Sequence, residues 1–154
     1  MKLSTRGRYA VMAMADLARH MPRGEPVRLS EIADRQEISL PYLEQLFAKL
    51  RRGGLVVAAR GPRGGYRLAR TAGETHIADI IVAVDEQIKA TRCKSESSTG
   101  CLGSKGRCLT HDLWEELGRQ IEVFLESVTL ADVLERRVLG RARVADSADP
   151  RVAA

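Results

Sequence analysis

Ser39-Leu-Pro-Tyr-Leu-Glu-Gln-Leu-Phe-Ala-Lys-Leu-Arg-Arg-Gly-Gly54, running on into Leu55-Val-Val-Ala-Ala-Arg-Gly-Pro-Arg-Gly-Gly-Tyr-Arg-Leu68, decides the fold. Leu43, Leu46, Phe47 and Leu50 fall at i, i+3, i+4 and i+7, one buried stripe of a helix. Ser39 is the expected cap, and Pro41 sits in the first turn, where a missing N–H costs nothing. Gly53-Gly54 ends the helix. Its opposite face carries Tyr42, Glu44, Gln45, Lys49, Arg51 and Arg52. Residues 55–59 then read as a strand, 60–65 as a glycine-rich turn and 66–68 as the returning strand.

Just upstream, Ser30 is expected to cap a short helix from Glu31 to about Gln36, with Leu29, Ile32 and Ala33 facing inward and a turn at Glu37-Ile38. Two short helices joined by a tight turn, the second polar and basic on its free face, fit a helix-turn-helix. A hairpin directly after the second helix is a wing. Gln45 can read adenine edges, and Glu44 can accept from cytosine. A carboxylate facing phosphates is unfavourable, so Glu44 serves more to reject wrong sites than to add affinity. Arg60 and Arg63 at the wing tip suit a narrow minor groove, where the negative potential is strongest. The turn has no Gly-Lys-Ser/Thr ending and opens no helix, which excludes a phosphate-cradling nucleotide loop.

Charge points the same way. Residues 1–70 carry 14 Lys and Arg against 6 Asp and Glu, whereas the remainder carries 11 against 14. A basic front half implies a polyanionic partner, most simply double-stranded DNA. No apolar run of about 18 residues exists and no signal peptide opens the chain, so no membrane is expected and the location is cytoplasmic. The first helix is expected from Ser4 or Thr5 to about His20, apolar on nearly every side. Arg6 and Arg8 at its start oppose the helix dipole, and a phosphate bound there would favour them.

The second half begins with a helix opened by Thr75 and Asp79 and running to about Glu86. Its packed side is Ile77, Ile80, Ile81 and Val84. A polar, glycine-bearing loop follows, with all three cysteines, Cys93, Cys101 and Cys108, and then His111. Thr110 is expected to cap a long helix to about Glu126, with a stripe of Leu113, Trp114, Leu117, Ile121, Phe124 and Val128. That stripe is wider than one small domain needs and reads as a dimer seam. Thr129 with Asp132 caps a last helix through Val138. The expected domains are 1–87 for DNA binding, 88–110 for a cluster-binding loop, 111–138 for dimerisation helices and 139–154 for a disordered tail. The fold class is mainly α with a small β-hairpin: a winged helix-turn-helix domain plus a long dimerisation helix.

Three thiolates and an imidazole are four soft-to-borderline metal ligands. Cys108 and His111 lie within one helical turn of each other. Two products fit: an iron–sulfur cluster, or a structural zinc of three cysteines and one histidine. A catalytic dithiol would need a Cys-x-x-Cys pair in a βαβ setting, and the sequence has neither. No carboxylate pair or Ser-His-Asp arrangement is readable, so the chain is not expected to be an enzyme or to take a small-molecule substrate.

Several stretches together resemble the bacterial iron–sulfur cluster regulators of the IscR type. They are Leu3-Ser-Thr-Arg-Gly-Arg-Tyr-Ala-Val11, Ile38-Ser-Leu-Pro-Tyr-Leu-Glu-Gln-Leu-Phe47, Arg60-Gly-Pro-Arg-Gly-Gly-Tyr66, Ala83-Val-Asp-Glu86 and Cys108-Leu-Thr-His111. The resemblance covers roughly residues 1–135. It implies a homodimeric winged-helix repressor of iron–sulfur cluster assembly genes that reads a palindromic operator and senses one 2Fe–2S cluster per subunit. By position, Cys93, Cys101, Cys108 and His111 match the family's ligands, and Ser39, Tyr42, Glu44, Gln45 and Arg60 match its DNA-contacting positions. A nitric-oxide sensor of the same fold and a zinc-stabilised DNA-binding protein are the alternatives. The spacers of seven residues (Cys93 to Cys101) and six (Cys101 to Cys108) are longer than the family's usual ones. Pro41 stands where relatives often have serine, and Arg63 where they often have glycine.

Overall fold

A computed structural model describes residues 4–86 and 106–140. Helix α1 spans Thr5–Arg19, α2 Leu29–Gln36 and α3 Leu40–Arg52. Strands β1 (Val56–Ala59) and β2 (Gly65–Leu68) follow, then α4 (Ile77–Ala83), α5 (His111–Ser127) and α6 (Leu130–Leu134). The mainly helical fold with one small hairpin is the expected class.

One aliphatic core serves the whole described chain. Ala10, Ala13, Met14 and Leu17 of α1 are fully buried, as are Ile32 of α2 and Leu43, Phe47 and Leu50 of α3. The α3 stripe is thus buried as its spacing predicts. Ile80 and Ile81 of α4 close the core on another side. Val128 and Leu130, from the α5–α6 connection, belong to this same core. Backbone pairing fixes them there: Ile77 N–H donates to the Val128 carbonyl at 2.9 Å, and Leu130 N–H to the Thr75 carbonyl at 2.8 Å. At about 25 cal/mol per Å² of apolar surface removed from water, burial of such side chains is the main stabilising term.

Strands β1 and β2 pair antiparallel, Val56 opposite Leu68 and Ala59 opposite Gly65. The hairpin is wider than the sequence indicates. Val27, before α2, bridges Tyr66 with 2.8 Å hydrogen bonds in both directions. Gly65 is required for this approach, because a Cβ there would lie 2.3 Å from the Val27 carbonyl oxygen. The Phe47 ring meets Tyr66 edge-on at 5.0 Å, which seats the hairpin on α3.

Several boundaries differ from those expected. Helix α2 starts at Leu29, with Arg28 at the N-cap and its N–H donating to Glu31 (3.1 Å), so Ser30 lies inside the helix. Thr75 does not cap α4; His76 holds that position, and the Thr75 hydroxyl donates to the Thr71 carbonyl at 3.0 Å. Helix α4 stops at Ala83, three residues before Glu86, and α6 stops at Leu134, four before Val138. The expected tail lies outside the described residues except for Leu139 and Gly140.

Candidate functional site

The site has three parts: the free face of α3 with the wing, the start of α1, and the turn that opens α5. On α3, Ser39, Glu44, Gln45, Arg51 and Arg52 are exposed. Ser39 occupies the N-cap, but its hydroxyl makes no capping hydrogen bond, so that group stays at the surface. Tyr42 is half-buried and meets Tyr9 of α1 edge-on, with ring centroids 6.0 Å apart. Lys49 is not on the free face either. It is half-buried and pairs with Asp85 at 2.7 Å. That ion pair holds the Asp85 carboxyl below the usual carboxylate range.

Arg60 and Arg63 are exposed on the turn between β1 and β2. Arg28 fixes that turn, its guanidinium donating to the Pro62 carbonyl at 2.7 Å. Sequence reasoning missed this residue, because nothing local links positions 28 and 62. It also missed the clamp that aligns α1 with α2. The Asp16 carboxylate is 1% exposed and accepts a forked pair of bonds from Arg35, the shortest at 2.7 Å, and one from Gln36 at 2.7 Å. Burial pushes the Asp16 carboxyl up, but Arg35, Gln36 and His20 more than offset this and hold it below its ordinary value.

Arg6 and Arg8 are exposed at the start of α1, where a bound phosphate was the expectation. The backbone donors of that helix start are taken by the protein's own Glu86, while Arg6 and Arg8 remain exposed. The Glu86 carboxylate accepts from the Ser4 N–H at 2.6 Å, from the Ser4 hydroxyl and from the Gly7 N–H at 3.0 Å. Arg6 lies alongside and donates to the Val84 carbonyl at 3.4 Å. Burial pushes the Glu86 carboxyl up, while the Ser4 and Gly7 donors and Arg6 bring it below the usual range. An anion at a helix N-terminus offsets the dipole in the way expected of a phosphate.

At the opening of α5, Cys108 is half-buried and His111 is 7% exposed. The His111 N–H donates to the Cys108 carbonyl at 3.0 Å, so thiol and imidazole sit on one turn, as their spacing implies. Thr110 stands at the N-cap, but its hydroxyl faces the Cys108 sulfur at 3.6 Å and makes no capping bond. The His111 Nε2 lies 3.5 Å from a Glu115 carboxylate oxygen. A carboxylate against one ring nitrogen is how proteins orient a metal-binding imidazole. A cysteine and a histidine on one turn are a ligand pair that suits iron–sulfur or zinc chemistry. Cys93 and Cys101 lie outside the described residues.

A helix-turn-helix carrying a short antiparallel wing defines a winged-helix DNA-binding regulator. The chain belongs to the Rrf2 family, described as an iron-dependent transcriptional regulator, whose model matches residues 3–136. It is 50% identical over 137 residues to the HTH-type transcriptional regulator IscR of Xenorhabdus nematophila, covering 89% of this chain and 81% of that protein. The same figures hold for the IscR of Serratia proteamaculans. Among solved structures, T. potens IscR superimposes with a TM-score of 0.69 at 39% identity, covering 99% of this chain and 96% of that one. The global cysteine regulator CymR of B. subtilis does so with 0.71 at 31% identity, covering 88% and 98%. These relatives are regulators, and transcriptional regulation is the class of this protein. Among the described residues, no helix is long and apolar enough to cross a membrane.

Proposed function

We propose that the protein is a cytoplasmic, homodimeric repressor of iron–sulfur cluster assembly genes that reads a palindromic operator according to a 2Fe–2S cluster. The observation that carries this reading is the Cys108–His111 turn, a thiol on the turn that leads into α5 and a buried imidazole at the first residue of that helix, in the same chain as a winged helix-turn-helix. Cys93 and Cys101 supply the other two ligands. The cluster supplies a redox-active centre whose binding depends on metal supply. A neutral imidazole in place of a fourth thiolate raises its potential and makes binding sensitive to pH.

The chain's own residues do the reading. Gln45 addresses an adenine edge, and Glu44 penalises sites that offer no donor opposite it. Arg51 and Arg52 at the end of α3 neutralise phosphates, as do Arg6 and Arg8, while Arg60 and Arg63 enter the minor groove. Ser39 and Tyr42 border the groove from the first turn of α3. The second subunit docks along α5, where Leu113, Trp114 and Leu117 are 62%, 45% and 39% exposed. Apolar exposure of that extent on one helix needs a partner, and a second copy presents the same face.

The test is iron and acid-labile sulfide per subunit in protein purified without air, with the visible spectrum, repeated for His111→Ala. About two of each per subunit, with an altered spectrum in the variant, is expected for a three-cysteine, one-histidine cluster. Zinc without iron or sulfide would overturn the cluster and leave a metal-stabilised DNA-binding protein.

A further inference from the structure

The end of α4 is built to deliver two adjacent carboxylates to two different helices. Asp85 N–H donates to the Val82 carbonyl (3.0 Å) and Glu86 N–H to the Ile81 carbonyl (3.3 Å). That pair of bonds is the Schellman closure of a helix, which places one residue in the left-handed region. The residue is Asp85, at φ 58°, where glycine is the usual occupant. An aspartate accepts this conformation better than most side chains, and here its carboxylate holds Lys49 of α3 at 2.7 Å. The turn then aims Glu86 at the first turn of α1, where it binds Ser4 and the Gly7 N–H. Beyond Glu86 the chain leads within seven residues to Cys93.

We infer that Asp85 and Glu86 are positioning residues for DNA reading, linking the cysteine-bearing stretch to the recognition helix and to the arginine-bearing start of α1. The inference rests on the cluster-sensing function proposed above. Lys49 follows Gln45 by one helical turn, so a shift of Asp85 changes how the helix that carries Gln45 is held. Gly7 lies between Arg6 and Arg8, so release of Glu86 frees the backbone that carries both. No direct contact between loop and DNA is needed for the metal state to alter affinity.

The test uses full-length protein with and without its metal, titrated against a duplex that the wild type enriches from a random-sequence pool. The readout is the ratio of the two dissociation constants, alongside the melting midpoint and the iron content. Couplings of this kind are typically about 5–150-fold. Asp85→Asn keeps a side chain that tolerates the left-handed region, and Glu86→Gln keeps one acceptor. Each is expected to bring the ratio to within about twofold of one, with iron content retained. Variants that keep the wild-type ratio overturn the inference and leave the sensor intact. A wild-type ratio of one overturns the sensing function and the inference with it. Hydrogen exchange at the Gly7 amide in wild-type protein gives an answer that depends on no variant. Different protection in the two metal states is expected, and equal protection overturns the inference.

Discussion

Removing Arg35 tests whether α1 and α2 are held together by charge or by apolar packing alone. The Asp16 carboxylate is 1% exposed, whereas Arg35 is 33% exposed. Arg35→Ala therefore strands a buried carboxylate. Taking one partner from a buried pair costs about 3–5 kcal/mol. Gln36 and His20 remain against Asp16, and the Arg35 end of the pair is already partly hydrated, which points to the lower end. A loss of about 3 kcal/mol corresponds to a fall of about 6–12 °C in melting midpoint for a chain of this size. Denaturant unfolding at fixed protein concentration is the assay, because dimerisation would make the midpoint concentration-dependent. The pH dependence gives a second readout. In the wild type the Asp16 carboxyl is held below its ordinary value, so its contribution is present above the unfolded pKa of about 3.9 and lost as pH falls through the folded value. In the variant, burial dominates and raises that pKa, so the variant loses stability as pH rises through the raised value. The gap between the two proteins must then narrow from pH 7 to pH 5. A gap under about 1 kcal/mol, or one equal at both pH values, would refute the electrostatic account.

Three further outcomes are expected. Leu117→Glu places a charge on the exposed apolar face of α5; it should convert dimer to monomer in sedimentation equilibrium and weaken operator binding, and a variant that stays dimeric would move the seam elsewhere. Arg51→Ala should weaken all duplexes alike and lower the salt slope by about one, whereas Glu44→Ala should broaden the set of sequences recovered by selection from a random pool. An unchanged ranking of sites in Glu44→Ala would contradict the discriminating role. Gly65→Ala should cost about 1–3 kcal/mol, because its Cβ would meet the Val27 carbonyl at 2.3 Å and the wing must part from residue 27. Chemical-shift changes confined to residues 25–30 and 60–68 would locate the damage; their absence would mean that the hairpin absorbs the methyl group.

Where packing follows a local period, the sequence already contained the structure. The stripe Leu43, Leu46, Phe47, Leu50 is buried as spaced, and Gly53-Gly54 ends α3 where two glycines stand. The ends that were misjudged share one cause. Helix α4 closes through Asp85 at φ 58°, and Arg136 just beyond α6 lies at φ 56°. Neither is glycine, so the residue type carries no stop signal. The start of α2 was misplaced for a related reason: its cap is a side-chain bond from Glu31 back to a backbone N–H, and the nearby Ser30 hydroxyl was a decoy. The exposed face of α3 was legible in part: Glu44, Gln45, Arg51 and Arg52 are exposed, but Tyr42 and Lys49 are half-buried against Tyr9 and Asp85, partners that no local period marks. Glu86 was not legible, because its partners are 79 and 82 positions away. The α5 stripe was read as one surface, yet it divides. Its far end, Val128, is in the core, while Leu113, Trp114 and Leu117 are exposed.

That division bears on how a small regulator transmits a signal. Helix α5 is anchored at one end, through Val128 and Leu130, in the same core that holds α1 and α3. Its other end begins at the Cys108–His111 turn. The DNA-reading head is therefore fixed to α5 on the side away from the thiol, and Asp85 and Glu86 are the last described residues before the cysteine-bearing stretch of the sequence. The contacts at the two places differ in kind. The Val128–Leu130 anchor is apolar and buried, and the clamp between α1 and α2 has its Asp16 carboxylate buried, so opening either exposes groups that are costly to separate. The Lys49–Asp85 pair is 26% and 73% exposed and screened by salt, so it exchanges partners at little cost. A perturbation entering at residue 86 thus meets one soft contact to α3 and one hydrogen-bonded seat on α1, both within a turn of residues assigned to phosphates or bases. The rigid contacts preserve the head as a body, and the soft ones are where its reading surface can be adjusted.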